Sequence, residues 1–407
     1  MKRPTKRLAR RPLEGLRVLD LTQVVAGPYC TTLLANLGAE VVKLEPPKGD
    51  ELRTIGRYRG REAHQDYFNA NNYSKKSIAL DLKDPAGRKI GQALARKADV
   101  LVENFSPGTA RRLGLGWTTL RKINPRLLYC SISGFGQTGP DRRRSAMDPI
   151  IQAASGVMSV TGEPGATRPL MIGAPLADVI AGMYGAYAIV GALHSVKKDG
   201  RGRLIDVSMQ SAMIAAIGPR MGQTLQAGTS PTPLGNQNPM RVPSDVYRTS
   251  DGQPIFIMVP NDRSWAPFCR AVGKPEWIQD RRFADAPTRV KNRGVLNDLV
   301  MARIKSVTAA KLLPRLEAEG LPHARVNDYA GALAEPQVAH RKLVRRVTHP
   351  TSGPIRLVGP PWIISDIDTP VFAPPLLDQH AAEVLRDWLS WTPKKIKAIT
   401  TRRPHDE

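Results

Sequence analysis

Along the N-terminal half of the chain, short apolar runs alternate with longer stretches whose apolar residues recur at helical spacing. Residues 16–21 (LRVLDL) predict a buried strand, 28–37 a helix stopped by Gly38, and 39–45 the next strand. The unit recurs with a strand over 77–82, a helix over 85–98, a strand over 99–105, a short helical piece near 119–123 and a strand over 126–133. Strands alternating with helices predict a mostly parallel, doubly wound α/β sheet. From 214 to 246 Gly, Pro, Thr, Asn and Gln take over, which marks a linker. Strands over 245–249 and 254–259 then flank Ser250-Asp251-Gly252 as a hairpin, and amphipathic helices follow around 264–272, 295–306 and 309–319. Residues 320–326 read as a crossing back, after which 355–357, 373–375 and a helix over 378–391 rejoin the first domain. The 407 residues suffice for two domains. Their expected bounds are 1–212 for the N-terminal part of a large domain, 213–234 for a linker, 235–315 for a small α+β domain, and 316–407 for the return linker and the rest of the large domain.

Between 171 and 196 the chain carries one formal charge, Asp178, in the run GAPLADVIAG. Pro175 reads as loop and 179–196 as a helix, so Asp178 is expected at or near the N-cap, where the helix dipole and free amides would keep it ionised. A structural cap is the ordinary role for such a residue. The chemical alternative is a carboxylate nucleophile that forms a covalent acyl intermediate in an apolar pocket. The segment 179–196 is long enough to cross a membrane, but its Gly and Ala content predicts a buried core helix of a soluble protein.

A doubly wound sheet invites a dinucleotide reading, with Glu45 as the acid that binds a ribose. The first turn has one glycine, Gly27, followed by Pro28, so the glycine-rich approach to a pyrophosphate is missing and a nicotinamide-linked dehydrogenase is disfavoured. Charge adds a different pointer. Lys and Arg number 60 against 36 Asp and Glu, a net +24, which favours polyanionic partners: nucleic acid, anionic membrane or phosphorylated small molecules. The basic runs at 1–12, 142–144 and 394–403 are not interleaved with aromatics, so stacking platforms for nucleic acid are not apparent and solvated arms are expected. A non-catalytic polyanion binder stays as one alternative. Cys30, Cys130 and Cys269 lie far apart, which indicates neither a disulfide framework nor a zinc site and suits a reducing cytoplasm. The cationic N-terminus lacks the apolar core of a secretory signal.

Several segments taken together carry more. They are LEGLRVLDLT (13–22) with Ala26-Gly27-Pro28, LGAEVVKLEPP (37–47), Asn72 with KKSIALDL (75–82), ADVLVENFSPG (98–108), SGFG (133–136), Asp148-Pro149 with Gln152-Ala153, and Asp178 with Gly182, leading into GRGR (200–203) and VSMQ (207–210). In this order and spacing, over about residues 12–388, the chain resembles the class III CoA-transferases, the CaiB/BaiF family. The resemblance implies a Rossmann-like large domain with an inserted small α+β domain and an interlocked homodimer. It implies acyl-CoA and small carboxylic acids as substrates, with coenzyme A a substrate rather than a resident cofactor, and no metal, nucleic-acid or membrane partner. Asp178 falls at the family's catalytic carboxylate. Asn104 and Phe105 fall where the family contacts CoA, with Leu80, Arg112 and Met209 as further lining positions. On that footing Arg112 would pair with a CoA phosphate, Leu80 and Phe105 would flank adenine, and the turn Val24-Val25-Ala26 would offer N–H groups to the thioester oxygen. Asp148 fills an acidic position near the catalytic carboxylate, or else is a helix cap or an ion-pair partner of Arg142 to Arg144.

The chain departs from the oxalate-using branch in three places. Val25 replaces a glutamine, Pro46 replaces an arginine that binds the adenosine phosphate, and Gly235-Asn236-Gln237-Asn238-Pro239 replaces a tetraglycine loop. These changes argue against an oxalyl or formyl substrate and shift phosphate binding toward Lys43, Lys48 or Arg53. The family's acyl-CoA racemases and epimerases, the other alternative, place a histidine directly before the aspartate at 148; here it is Met147, and none of the seven histidines is close in sequence to either carboxylate.

Overall fold

Six strands, buried on both faces except for the half-exposed sixth at the edge, assemble a parallel sheet, as apolar runs do when helices cover each side. They are β1 (Arg17–Asp20), β2 (Glu40–Glu45), β3 (Lys76–Ala79), β4 (Val100–Glu103), β5 (Leu128–Ser133) and β6 (Arg203–Ser208). The computed structural model describes residues 9–54 and 66–400; most of the basic arm at 1–12, His64 and the end of the 394–403 run lie outside the described residues. Strand order is β3-β2-β1-β4-β5-β6, all parallel. This is the doubly wound order whose direction reverses between β1 and β4, so a crevice is expected beyond the carboxyl ends of those two strands.

The helices of this unit are α1 (Ala26–Asn36), α2 (Asp66–Asn72), α3 (Pro85–Lys97), α4 (Thr109–Arg112), α5 (Trp117–Ile123), α6 (Asp148–Ala154), α7 (Leu176–Asp199) and α8 (Met209–Ile217). Helix α3 begins where the sequence places it: Pro85 opens the first turn and the Asp84 carboxylate accepts the Gly87 N–H. One sheet face buries Leu19, Val42, Leu101 and Tyr129 with Leu94 of α3 and with Val384, Leu385 and Trp388 of the helix Ala381–Leu389. On the other face α1 packs on α7. A methyl group on Gly182 would come within 2.6 Å of the Ala26 carbonyl oxygen, and one on Gly185 within 3.1 Å of Cys30 Sγ. The two helices thus cross almost backbone to backbone.

The chain divides into two units, 1–157 with 171–225 and 339–407, and 158–170 with 226–338. The smaller unit has an antiparallel sheet of β7 (Ser244–Arg248), β8 (Pro254–Met258) and β9 (His323–Arg325). Its core joins Tyr247, Ile255 and Ile257 to Phe268, Phe283, Leu296, Val300 and Leu316. Arg293 braces the loop 235–239 there, donating to the carbonyl oxygens of Asn238 (2.8 Å) and Pro239 (3.0 Å).

Some expectations change. Residues 320–326 do not cross back; they supply β9, paired to β8 through Ile255, Phe256 and Ile257. Residues 355–357 sit in a separate hairpin of β10 (Val344–His349) and β11 (Gly353–Val358). The stretch from 214 is not all linker, since α8 runs to Ile217 and a short helix covers Gly222–Ala227. Edge strand β6 went unread because Arg203 and Asp206 interrupt its apolar pattern. Helix α7 is not a fully buried core helix either. It buries Ala177, Ala181, Gly182, Gly185, Ala186 and Ile189, while Met183, Tyr184, Tyr187 and Val190 are exposed. Its length and hydropathy alone would allow a membrane crossing.

Candidate functional site

The residues singled out by sequence gather at the carboxyl edge of the sheet. The turn 22–26 follows β1, Asn104 and Phe105 follow β4, Leu80 follows β3 and Met209 follows β6. Gln23 and Asn104 meet at the switch point: the Asn104 side chain accepts the Gln23 N–H at 2.9 Å and donates to the Gln23 carbonyl at 2.8 Å. Next to this clamp Val24 has φ +67, a left-handed conformation that for a β-branched residue stores on the order of 1–3 kcal/mol. Val25 then caps α1 without a side-chain bond, and the first amides of α1 have no partner within the helix, as at any helix start. Gly27 is needed here, because a Cβ would lie 2.4 Å from the Thr22 side chain.

Asp178 is not the N-cap. Pro175 holds that position and Asp178 stands in the first turn of α7. The amides expected to stabilise its charge are taken by another acid. Asp148, at the start of α6, accepts the N–H of Ala177 at 2.7 Å and of Asp178 at 3.2 Å, and its other oxygen accepts from Gln152 Nε2 at 2.6 Å. Asp148 is therefore a helix cap of α7 reached from α6, and the ion pair with Arg142 to Arg144 is absent; Arg144 pairs with Asp141 and lies over Phe135. Half-buried and facing a second acid, Asp178 is pushed up to about 7, first by desolvation and then by the Asp148 charge. Firm ionisation of Asp178 is thus corrected by the structure: the group is poised near neutrality. Asp178 and Gly182 lie one turn apart on the same face of α7, and Gly182 packs against Ala26 at the start of α1.

Other expected residues have fixed partners. Leu80 is buried in the sheet core and Phe105 packs against the same cluster. Arg112 is exposed and donates to Thr109 Oγ1 at 2.7 Å. Met209 is buried at the start of α8. Lys43 and Arg53 are not available to phosphate. Lys43 is fully buried against Asp50 at 3.0 Å, and Arg53 is held by Glu45 through two bonds of 2.7 Å. The same pairing, with Ser77 at 2.6 Å, removes Glu45 as a ribose ligand. Lys48 alone of the three is exposed. His380 accepts the Ser77 N–H through Nδ1, a packing role.

Sequence reasoning missed a cluster beneath the turn. Asp20, fully buried, accepts from Thr22 N–H (2.8 Å), Thr31 Oγ1 (2.6 Å) and Lys75 Nζ (2.9 Å). Burial alone would raise its pKa, but Lys75 and Lys43 with the two threonine hydroxyls hold it below the usual range. It also missed Glu103, which accepts the Phe105 N–H at 2.8 Å and the Ser131 hydroxyl, and which burial pushes up to about 7. Glu103 lines a cavity of about 310 Å³ together with Tyr129, Ser131, Gln137, Arg142 and Arg143. The signal for both clusters was a charged residue inside or closing an apolar strand, VLD, VVKLE and VLVE.

An open parallel sheet carrying a carboxylate pair and a constrained amide turn at its carboxyl edge is the architecture of an α/β enzyme. Comparison with known proteins narrows the class. The sequence profile of CoA-transferase family III matches residues 13–381, and the chain belongs to that family. It is 36% identical over 389 residues to the succinyl-CoA:glutarate CoA-transferase of Homo sapiens, covering 95% of this chain and 88% of that protein. It is 38% identical to the acetyl-CoA:oxalate CoA-transferase of Acetobacter aceti, covering 93% of this chain and 96% of that one. Among solved structures, a CaiB/BaiF family protein from Brucella suis matches with a TM-score of 0.84 at 34% identity, over 93% of this chain and 100% of that one. The protein is thus an enzyme of the family III CoA-transferase class, with the CaiB/BaiF fold.

Proposed function

We propose that this enzyme moves CoA from an acyl-CoA thioester to a carboxylic acid, with Asp178 as the nucleophile. The observation that carries the reading is the half-buried Asp178 carboxylate, raised to about 7 beside Asp148, at the edge of the sheet where α/β enzymes bind ligands. In its ionised form Asp178 attacks the thioester carbon; the C–S bond breaks, giving an acyl-aspartyl anhydride and CoA thiolate. The thiolate attacks the aspartyl carbonyl and expels the donor carboxylate, which leaves an aspartyl-CoA thioester. The acceptor carboxylate then attacks that carbonyl, displaces the thiolate and forms the second anhydride. Return of the thiolate to the acceptor's acyl carbon releases the new thioester and regenerates Asp178. Each exchange trades one activated acyl group for another, so no metal or redox step is needed. The amides of Val25 and Ala26, which the helix itself leaves unpaired, are suited to hold the thioester oxygen as charge develops on it. Of the positions that the family resemblance gives to CoA, Arg112 is exposed and Asn104 and Phe105 are half-buried, and these three are the proposed CoA contacts, while Leu80 and Met209 are buried and would support them from behind.

The names of the relatives suggest dicarboxylic acids as substrates: succinyl-CoA and glutarate for the human protein, and oxalate for that of Acetobacter aceti, of which Val25, Pro46 and the 235–239 loop favour the longer acids over oxalate. The test is a panel of acyl-CoA donors against succinate, glutarate, oxalate and monocarboxylic acids, read by mass detection of new thioesters. Transfer to a dicarboxylate is expected. Exchange of the α proton with deuterated solvent and no transfer would overturn the reading in favour of a racemase. Salt-sensitive DNA binding that CoA leaves unchanged would favour the polyanion binder.

Because attack needs the carboxylate, kcat/KM is expected to rise with pH and level off above about 7, falling about tenfold per unit below it. In Asp148→Asn the like charge is gone, while a carboxamide oxygen remains to accept an amide of α7. The half-point should move toward acid by about one unit. A profile flat from pH 5 to 8 in wild type, or a half-point unmoved in Asp148→Asn, would contradict this assignment.

The exposed apolar face of α7, Met183, Tyr184, Tyr187 and Val190, with Ile214 of α8, supports a homodimer in which a second copy covers it. Light scattering should report twice the monomer mass.

A further inference from the structure

Beneath the turn that follows β1, buried charges outside the proposed chemistry converge on its backbone. Lys43, at 0% exposure, donates to the Thr22 carbonyl at 2.7 Å and pairs with Asp50 at 3.0 Å. The Asp50 carboxylate receives the Val24 N–H at 3.3 and 3.4 Å and the Leu52 N–H at 3.0 Å. Asp50 is itself buried, and its own N–H donates to Glu45 at 3.1 Å. Gln23 is held from the other side by Asn104. Thr22, Gln23 and Val24 thus have their backbone fixed by four side chains from β2, the loop after it, β1 and the end of β4: Lys43, Asp50, Asp20 and Asn104.

Such convergence explains how a valine stays at φ +67. Strained backbone persists only where its surroundings over-determine it, and it clusters where geometry serves chemistry. Val24 at φ +67 is followed by Val25 at φ −120 and ψ −60, a turn of alternating sign in φ of the kind that brings successive N–H groups toward one concavity for an oxygen with negative charge. Released, Val24 would return to negative φ, and the peptide joining it to Val25 would rotate its N–H away.

We propose that Asp50, held in place by Lys43, is a positioning residue that keeps Val24 left-handed and so aims the Val25 and Ala26 amides at the thioester oxygen. This role rests on the transferase reading above. Asp50 touches no substrate; it acts through the turn. The buried Lys43 supplies the fixed positive charge that orients the carboxylate, since Asp20, Asp50 and Glu45 outweigh the opposing effect of its burial and keep it protonated.

The test is a double-mutant cycle of Asp50→Asn with Val24→Gly. Glycine takes positive φ without strain, so the turn needs no clamp in that background. In the Val24 enzyme Asp50→Asn is expected to lower kcat by about 10- to 100-fold. The KM for acyl-CoA, and the affinity for a CoA thioether whose carbonyl is a methylene, should stay within about threefold. In the Val24→Gly enzyme the same change should lower kcat by less than about threefold. An equal loss in both backgrounds, a lost thioether affinity, or an unchanged kcat in the Val24 enzyme would overturn the proposal. Should Asp50→Asn fail to fold, Asp50→Glu, which keeps the charge and moves its oxygens by one methylene, carries the same comparison. A wild-type chain that moves no CoA within the panel overturns the transferase reading and this role with it; a working wild type beside an indifferent Asp50 variant overturns the role alone.

Discussion

Asp178→Asn is expected to lose CoA transfer by more than about a thousandfold and, at the same time, to fold more tightly than wild type above neutral pH. Both effects come from one placement. A carboxamide cannot attack a thioester carbon to form an anhydride, so no covalent route remains. The stability effect follows from the raised pKa. Asp178 titrates near 7 in the folded protein and near 3.9 in an unfolded chain. Between these values the unfolded state sheds the proton first, so the folded state loses stability as pH rises. The penalty is fully present above about 7 and absent below about 4. A neutral asparagine escapes it, and the gain should be on the order of 1–2 kcal/mol at pH 8 once solvent screening of a half-buried group is allowed for. At pH 5 most of the gain disappears. Urea unfolding at the two pH values measures the difference, and hydroxylamine trapping followed by peptide mapping should yield a hydroxamate on wild-type Asp178. Retained transfer in the variant, or a hydroxamate on some other residue, would remove Asp178 from the chemistry.

The alternation of apolar runs and helical periods was enough to place β1 to β5 and helices α1, α3 and α5, because a parallel strand buried on both faces leaves a mostly apolar signature; α2 and the one-turn α4 went unread. The family motifs cluster where strands end, at the carboxyl edge of the sheet. Two things were hidden. The first was the partner of Asp178. Spacing around Pro175 suggested that Asp178 capped its own helix, whereas the cap comes from Asp148 on another helix. Local pattern carries no record of a contact between separate elements. The error had a chemical consequence, since an acid that caps a helix is held ionised, and one whose neighbour has taken the amides is not.

The second was the buried charge. Lys43 lies in VVKLE, a strand with both faces covered, and Arg53 ends a single 3-10 turn after it; default expectation puts both in solvent, available to phosphate. Their burial becomes intelligible only when β1, β2 and the loop after β2 are seen to aim Asp20, Glu45 and Asp50 at them. Ionic groups are buried when the partners are all satisfied, and here the satisfied set lies under the turn with the strained valine. Stability and geometry at this edge are one problem, which the next variant addresses.

Asp20→Ala should be among the most damaging single changes in the large unit. It removes the acceptor of Thr22 N–H, of the Thr22 and Thr31 hydroxyls and of Lys75, and leaves the ammonium of Lys75 buried with Lys43 nearby. Breaking a buried pair from one side costs about 3–5 kcal/mol, because the remaining charge keeps its desolvation penalty. Asp20→Asn should lose less, since a carboxamide oxygen still accepts from a threonine. The pH dependence separates lost charge from lost packing. Lys75 sits at about 8 in the wild type, pushed down by burial and held up chiefly by Asp20. Without Asp20 it falls further and can shed its proton in the folded state, while the unfolded chain keeps it. Where the unfolded state binds more protons, stability climbs with pH, so the deficit of Asp20→Ala against wild type should narrow from about pH 6 to about pH 8. Denaturant unfolding of both proteins across that range reads the slope. A deficit that stays constant would mean that only packing was lost and that the buried ammonium had found another partner.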